Sequence, residues 1–139
     1  MPADPFAYAV LRVIPDLERG ESVNAGLVVF CRTRGFLAAR VGLDPGRLGA
    51  LAPAADAGAI TRHLESLQAV AAGDPAAGPV AALDRSERFG WLTAPASTVV
   101  QPGPVHTGLC DEPEAMLDRL FTRLVAGAGG HDPRRTHVR

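Results

Sequence analysis

The chain contains no lysine; all 14 of its basic residues are arginine. Arginine is the better residue for bidentate recognition of phosphate or carboxylate. Yet asparagine is nearly absent too, with Asn24 standing alone, while Ala, Gly and Pro abound. Together these features read as the coding bias of a GC-rich genome rather than as an anion-binding surface. Charge of one sign is also missing: the net charge is -1. No long-range field would steer nucleic acid or an anionic membrane to this protein. Aromatic residues make only 5% of the chain and do not interleave with the basic ones, so the stacking platforms of single-strand binders are absent. Nucleic acid is not an expected partner. No apolar run reaches the roughly 18 residues of a membrane span. The start, Met1 to Phe6, has neither a basic nor an apolar leader region, so no signal peptide is expected. The two cysteines, Cys31 and Cys110, have no metal-ligand spacing. Two free thiols in a reducing, cytoplasmic compartment is the simplest reading. The phosphate-cradling loop, the dinucleotide-binding glycine pattern, the nucleophile elbow and the zinc-protease helix motif are all missing. No cofactor and no metal are expected.

What is present is ordinary globular material. The 139 residues fit one domain. A chain of this length buries roughly two thirds of its unfolded surface and can stand without a disulfide or metal. Hydrophobic residues make 47% and charged residues 21%, typical of a packed domain. Tyr8 to Ile14 is apolar except for Arg12 and is stopped by Pro15. Val23 to Phe30 is almost continuously apolar, the pattern of a central strand or one covered on both faces. Phe36 to Leu43 follows a short turn ending at Gly35, so the second and third strands predict a hairpin. Asp44-Pro45 opens a short helix. Asp56 caps a longer one with Ile60, Leu64, Leu67 and Ala71 at helical period, closed by Gly73. Asp84 and Glu87 have capping-box spacing before Phe89, Trp91 and Leu92. Thr98 to Gln101 predicts a fourth strand, interrupted at Pro102-Gly-Pro104 and resumed near Val105 to Thr107. Asp111 is the expected cap of a last helix, with Leu117, Leu120, Phe121 and Leu124 as its apolar stripe. These elements predict a single α+β domain over 1–127. Its mostly antiparallel sheet is a three-stranded meander plus a late fourth strand, with helices packed on one face. The tail 128–139 is expected to be disordered.

Two constellations could carry chemistry. Arg12 and Asn24 each interrupt an apolar strand, and Glu18, Arg19 and Glu21 lie on the loop between those strands. If the strands pair about their loop, an arginine, an amide and one or two carboxylates gather at one end of the sheet. That group is either a pocket for a small charged ligand or a set of buried ties for the hairpin. The other constellation is the stiff stretch with Gln101, His106 and Thr107 among prolines and glycines. An imidazole and a hydroxyl held there suit a binding edge, but a lone His near apolar residues is more often a packed, hydrogen-bonded one. His63 sits on the flank of the longer helix, and His131 and His137 lie in the tail with no metal spacing.

The segments Tyr8-Ala-Val-Leu-Arg-Val-Ile-Pro15, Glu18-Arg-Gly-Glu21 and Val23-Asn-Ala-Gly-Leu-Val-Val-Phe30 resemble the N-terminal signature of the bacterial domain-of-unknown-function family 3037. Ser97-Thr-Val-Val-Gln-Pro102 and Val105-His-Thr-Gly108 resemble its actinobacterial members. The resemblance runs over about residues 7–125, with Ala25 where members often have Val. It implies a small protein without assigned catalytic or binding residues, and an accessory role beside a kinase of the HipA type. The expectation is a non-enzymatic accessory or interaction module. Its partner is another protein or a second copy, met through a sheet edge. The alternative is a small-molecule binder or enzyme using the polar cluster at the first hairpin.

Overall fold

The computed structural model describes residues 3–127. The expected tail 128–139, with His131 and His137, lies outside them. Strands β1 (Asp4–Val13), β2 (Val23–Cys31) and β3 (Phe36–Val41) form the antiparallel meander. Strands β4 (Val100–Pro102) and β5 (His106–Cys110) both pair antiparallel with the free side of β1. The sheet order is β3-β2-β1-β4, with β5 continuing β4 along β1. β4 and β5 are therefore two halves of one interrupted edge strand. Leu11 faces Pro102 and Tyr8 faces His106, so Gly103, Pro104 and Val105 span only Val10 and Ala9. The surplus residue forms a bulge, where the Gly103 amide donates to the Val10 carbonyl at 2.7 Å.

The helices start where their caps predict. The Asp44 carboxylate accepts from the Gly46 and Arg47 amides and opens α1 (Pro45–Leu51). Asp56 accepts from Ala59 and opens α2 (Ala57–Ala72), which ends at Gly73 with φ 74°. Only glycine takes that left-handed conformation without penalty. Asp84 accepts from Glu87 and opens α3 (Arg85–Leu92). The last helix departs from expectation. α4 (Pro113–Phe121) starts from Glu112, which makes no side-chain cap bond, rather than from Asp111. Pro113, with its fixed φ, takes the first helical position and so sets Glu112 as the flanking residue. Beyond Phe121 the coil widens to a π-type turn over Thr122–Gly127.

The α+β class stands, but the helices divide between two faces instead of covering one. Leu11, Val13, Ala25 and Val28 pack with Leu48, Ile60, Leu64, Phe89 and Leu92 from α1, α2 and α3. On the reverse face Phe6, Leu27, Val29, Cys31 and Cys110 pack with Leu117 and Leu120 of α4. The cause lies in β2, whose residues are apolar on both sides of the pleat and need cover twice. α4 is fastened over that second face by ties from the sheet side. Arg40 pairs with Asp118 and lies 5.8 Å from the Phe121 ring centroid. Arg34 pairs with Asp4 at 2.6 Å and reaches Glu112 at 3.9 Å.

Candidate functional site

The polar residues of the first hairpin meet through a bulge in β2. Leu11 pairs with Gly26, yet Arg12 pairs with Asn24, so Ala25 is an extra residue on its strand. Ala25 turns into the core beneath α1, α2 and α3. Asn24 is thereby brought opposite Arg12 on the α4 face. On the other flank of β1, Arg12 faces Gln101. The half-buried guanidinium thus lies in a cross-strand row, Asn24–Arg12–Gln101. Its neighbours are committed elsewhere: the Asn24 amide donates to the Leu124 carbonyl at 3.0 Å, and Gln101 Nε2 donates to the Thr98 carbonyl at 2.9 Å. Arg12 Nε is buried and has no hydrogen-bond partner. The guanidinium lies against Gly103, where a Cβ would stand 3.5 Å from Nε.

The carboxylates of the loop do not join this row. The Asp16 carboxylate accepts from the Glu18 amide at 3.0 Å and folds the loop on itself. Glu21 is taken by Arg19 at 2.8 Å, and all three of Glu18, Arg19 and Glu21 are exposed. The expected gathering of carboxylates with Arg12 is corrected on this point: short-range partners satisfy the loop before β1 is reached.

His106 and Thr107 separate as well. His106 is exposed, faces Tyr8 across the strands, and its ring lies 5.2 Å from the Tyr8 ring. Thr107 faces Ala7 and points to the opposite side of the sheet. Tyr8 and Arg12 are four residues apart on one face, about 13 Å. Adding two strand spacings puts His106 roughly 16 Å from Asn24. His106 shares the sheet face of Arg12 and Asn24 but not their pocket, and Thr107 lies on the other face.

The geometry is most open along β4 and β5. Val10 receives a bond from Gly103, and Ile14 donates to Val99. Backbone groups of even-numbered β1 residues thus point to this edge strand. By the alternation of an antiparallel ladder, Asp4, Phe6 and Tyr8 engage Cys110, Gly108 and His106. Thr107 and Leu109 then turn their N–H and C=O groups outward. Apolar side chains accompany them: Val99, Val105 and Leu109 are 36%, 47% and 66% exposed. The opposite edge, β3, is partly closed, because Gln68 of α2 accepts from the Val41 amide at 3.0 Å.

The family described as "Protein of unknown function (DUF3037)" matches residues 8–125, nearly the whole described fold. The chain belongs to this family. No curated protein and no solved structure matches it. The DUF3037 match takes in β1 from Tyr8 onward, the β2 bulge, both halves of the edge strand and α4.

Three features of this DUF3037 chain escaped the sequence reading. Arg47 of α1 donates to the Val125 carbonyl at 3.0 Å, beside the Asn24 bond to Leu124. A cation and an amide therefore close the carbonyl end of the last helix, where the helix dipole is negative. An apolar cavity of about 290 Å³ lies between α2, α3 and β4, with Trp91 and His63 at its rim. The third is the thiol pair: burial, and the neighbouring Cys31, push the Cys110 thiol above its ordinary range. The capping signal could have found none of them, because each joins elements distant in the chain. No group of three or more metal-ligating side chains occurs among the described residues. No helix among them is long and apolar enough to cross a membrane.

Proposed function

We propose that this protein is a non-enzymatic interaction module that takes an extended segment of a protein partner alongside β5. The observation that carries the reading is the joint exposure of Leu109 and Val105 with the outward backbone groups of Thr107 and Leu109. An unpaired edge of this kind receives a strand through main-chain bonds, while flanking side chains select the sequence. Pro102 and Pro104 lack N–H groups, which limits pairing along β4 and favours β5. A kinase of the HipA type is the partner the family resemblance suggests, and a second copy of the chain is the other occupant.

The test compares capture from the native host by the natural chain and by Thr107→Pro. The substitution removes an outward donor and leaves the bonds to β1 intact. Affinity is expected to fall at least about tenfold, the loss of one well-formed bond. Circular dichroism should be unchanged, and Glu65→Lys on the exposed face of α2 should retain the partner. Light scattering that gives the mass of one chain, together with no partner recovered, contradicts the reading. So does a folded Thr107→Pro chain that binds as before.

A second reading rests on the buried, unpartnered Nε of Arg12. A small anion beside the Asn24–Arg12–Gln101 row would satisfy it. Arg12→Leu, which removes that group, should abolish any calorimetric heat on titrating phosphate or acetate. No saturable heat with the natural chain would dismiss this reading.

A further inference from the structure

We propose that the cavity between α2, α3 and β4 is a binding site for a small planar aromatic carboxylate. It lies on the sheet face opposite Arg12 and owes nothing to the free edge of β5. Buried Leu11, Leu92 and Val100, with half-buried Leu67, make an apolar floor. Trp91, 47% exposed, and His63, also exposed, stand at the rim.

Size, shape and polarity each narrow the ligand. An apolar cavity of about 150 Å³ holds one benzene ring. The volume here, about 290 Å³, therefore suits two fused rings. The cavity is open on one side, so a polar group can remain at the mouth while the rings are buried. A large aromatic exposed at such a rim offers a face on which a flat ligand stacks. The indole N–H of Trp91 is a donor only, and the imidazole of His63 can donate as well. No carboxylate lines the cavity among the described residues. The Thr98 hydroxyl donates its proton to the Val100 carbonyl at 2.8 Å, so the side-chain donors left at the mouth are Trp91 and His63. An acceptor on the ligand meets both rim donors, and a carboxylate answers two donors best. A cationic ligand would find no counter-charge here.

Trp91 is the single tryptophan, so its indole N–H gives one nitrogen-15 cross-peak that reports on this cavity alone. The experiment titrates the full chain with 2-naphthoate and, separately, with the uncharged 2-naphthamide, following that cross-peak and the calorimetric heat. The expected result is a saturable shift at one ligand per chain, with naphthoate binding more tightly than the amide. His63→Leu should weaken naphthoate about tenfold, the loss of one charge-assisted bond, and weaken naphthamide less, because its neutral carbonyl makes the weaker bond. Ala96→Phe, at an exposed lining position, should fill the space and abolish the shift with both compounds. Unaltered dispersion of the remaining amide peaks shows that each variant is folded. A shift that never saturates, or that persists in Ala96→Phe, overturns the site. Equal affinity for the acid and the amide overturns the assignment of a carboxylate ligand.

Discussion

Asn24 shows how a single polar residue can be structural and positional at once. Its amide holds the Leu124 carbonyl, while its place on β2 sets it against Arg12. Asn24→Ala removes the bond and leaves a carbonyl at the helix end without that donor. Urea unfolding is expected to show a loss of about 1–2 kcal/mol. Arg47→Ala should act on the adjacent carbonyl in the same direction, and the two losses should not add, because both groups secure one helix end. Asp4 makes a pH-dependent contribution. The hydrogen bond from Arg34 comes first, with one from Thr33, and together they hold the Asp4 carboxyl below its ordinary value of 3.8. A depressed folded value means that the unfolded chain takes up a proton first as pH falls. The stabilisation is therefore complete above the ordinary value and disappears as pH drops through the lower, folded one. Acid unfolding of Asp4→Asn should be flatter across that window than that of the natural chain.

Among elements, α4 and the α2–α3 layer hold opposite faces of one sheet. Leu117→Ala and Leu64→Ala each create a cavity in a different core, with expected losses of about 2–4 kcal/mol by denaturant titration. Those two positions share no core cluster, so their effects should add. Much at this scale was legible in the sequence. Asp44, Asp56 and Asp84 mark helix starts because a short carboxylate answers free amides locally. Gly73 marks a stop for an equally local reason. The break at Pro102 to Pro104 was legible too, since prolines punctuate a strand. What joins distant residues was not. The continuous apolar run of β2 demanded two covered faces, but nothing in it named α4 as the second cover. The approach of Arg12 to Asn24 followed from strand pairing, yet the bulge that makes them face each other left no mark in the sequence. Glu18 and Glu21 were expected beside Arg12, but an Asx turn and an ion pair within the loop engaged that segment first. Trp91 and His63 come from different helices, and helical periodicity does not tell which helix surfaces converge.

For the whole molecule, both faces of the sheet are covered by helices and the β3 border is partly closed by Gln68. The remaining side is the β5 border, where a bulge and two prolines shorten the stretch available but leave Thr107 and Leu109 open. Natural proteins blunt such borders with charge or cover, and here the border instead carries exposed Val105 and Leu109. Leu109→Lys should therefore keep the fold, within about 0.5 kcal/mol by denaturant titration, because a 66% exposed side chain contributes little to the core. Amide hydrogen exchange of the isolated chain, resolved residue by residue, tests the open border most directly. Thr107 and Leu109 should exchange fast while His106, Gly108 and Cys110, bonded to β1, exchange slowly. Slow exchange at Thr107 and Leu109 in dilute solution, or the opposite alternation, would contradict it.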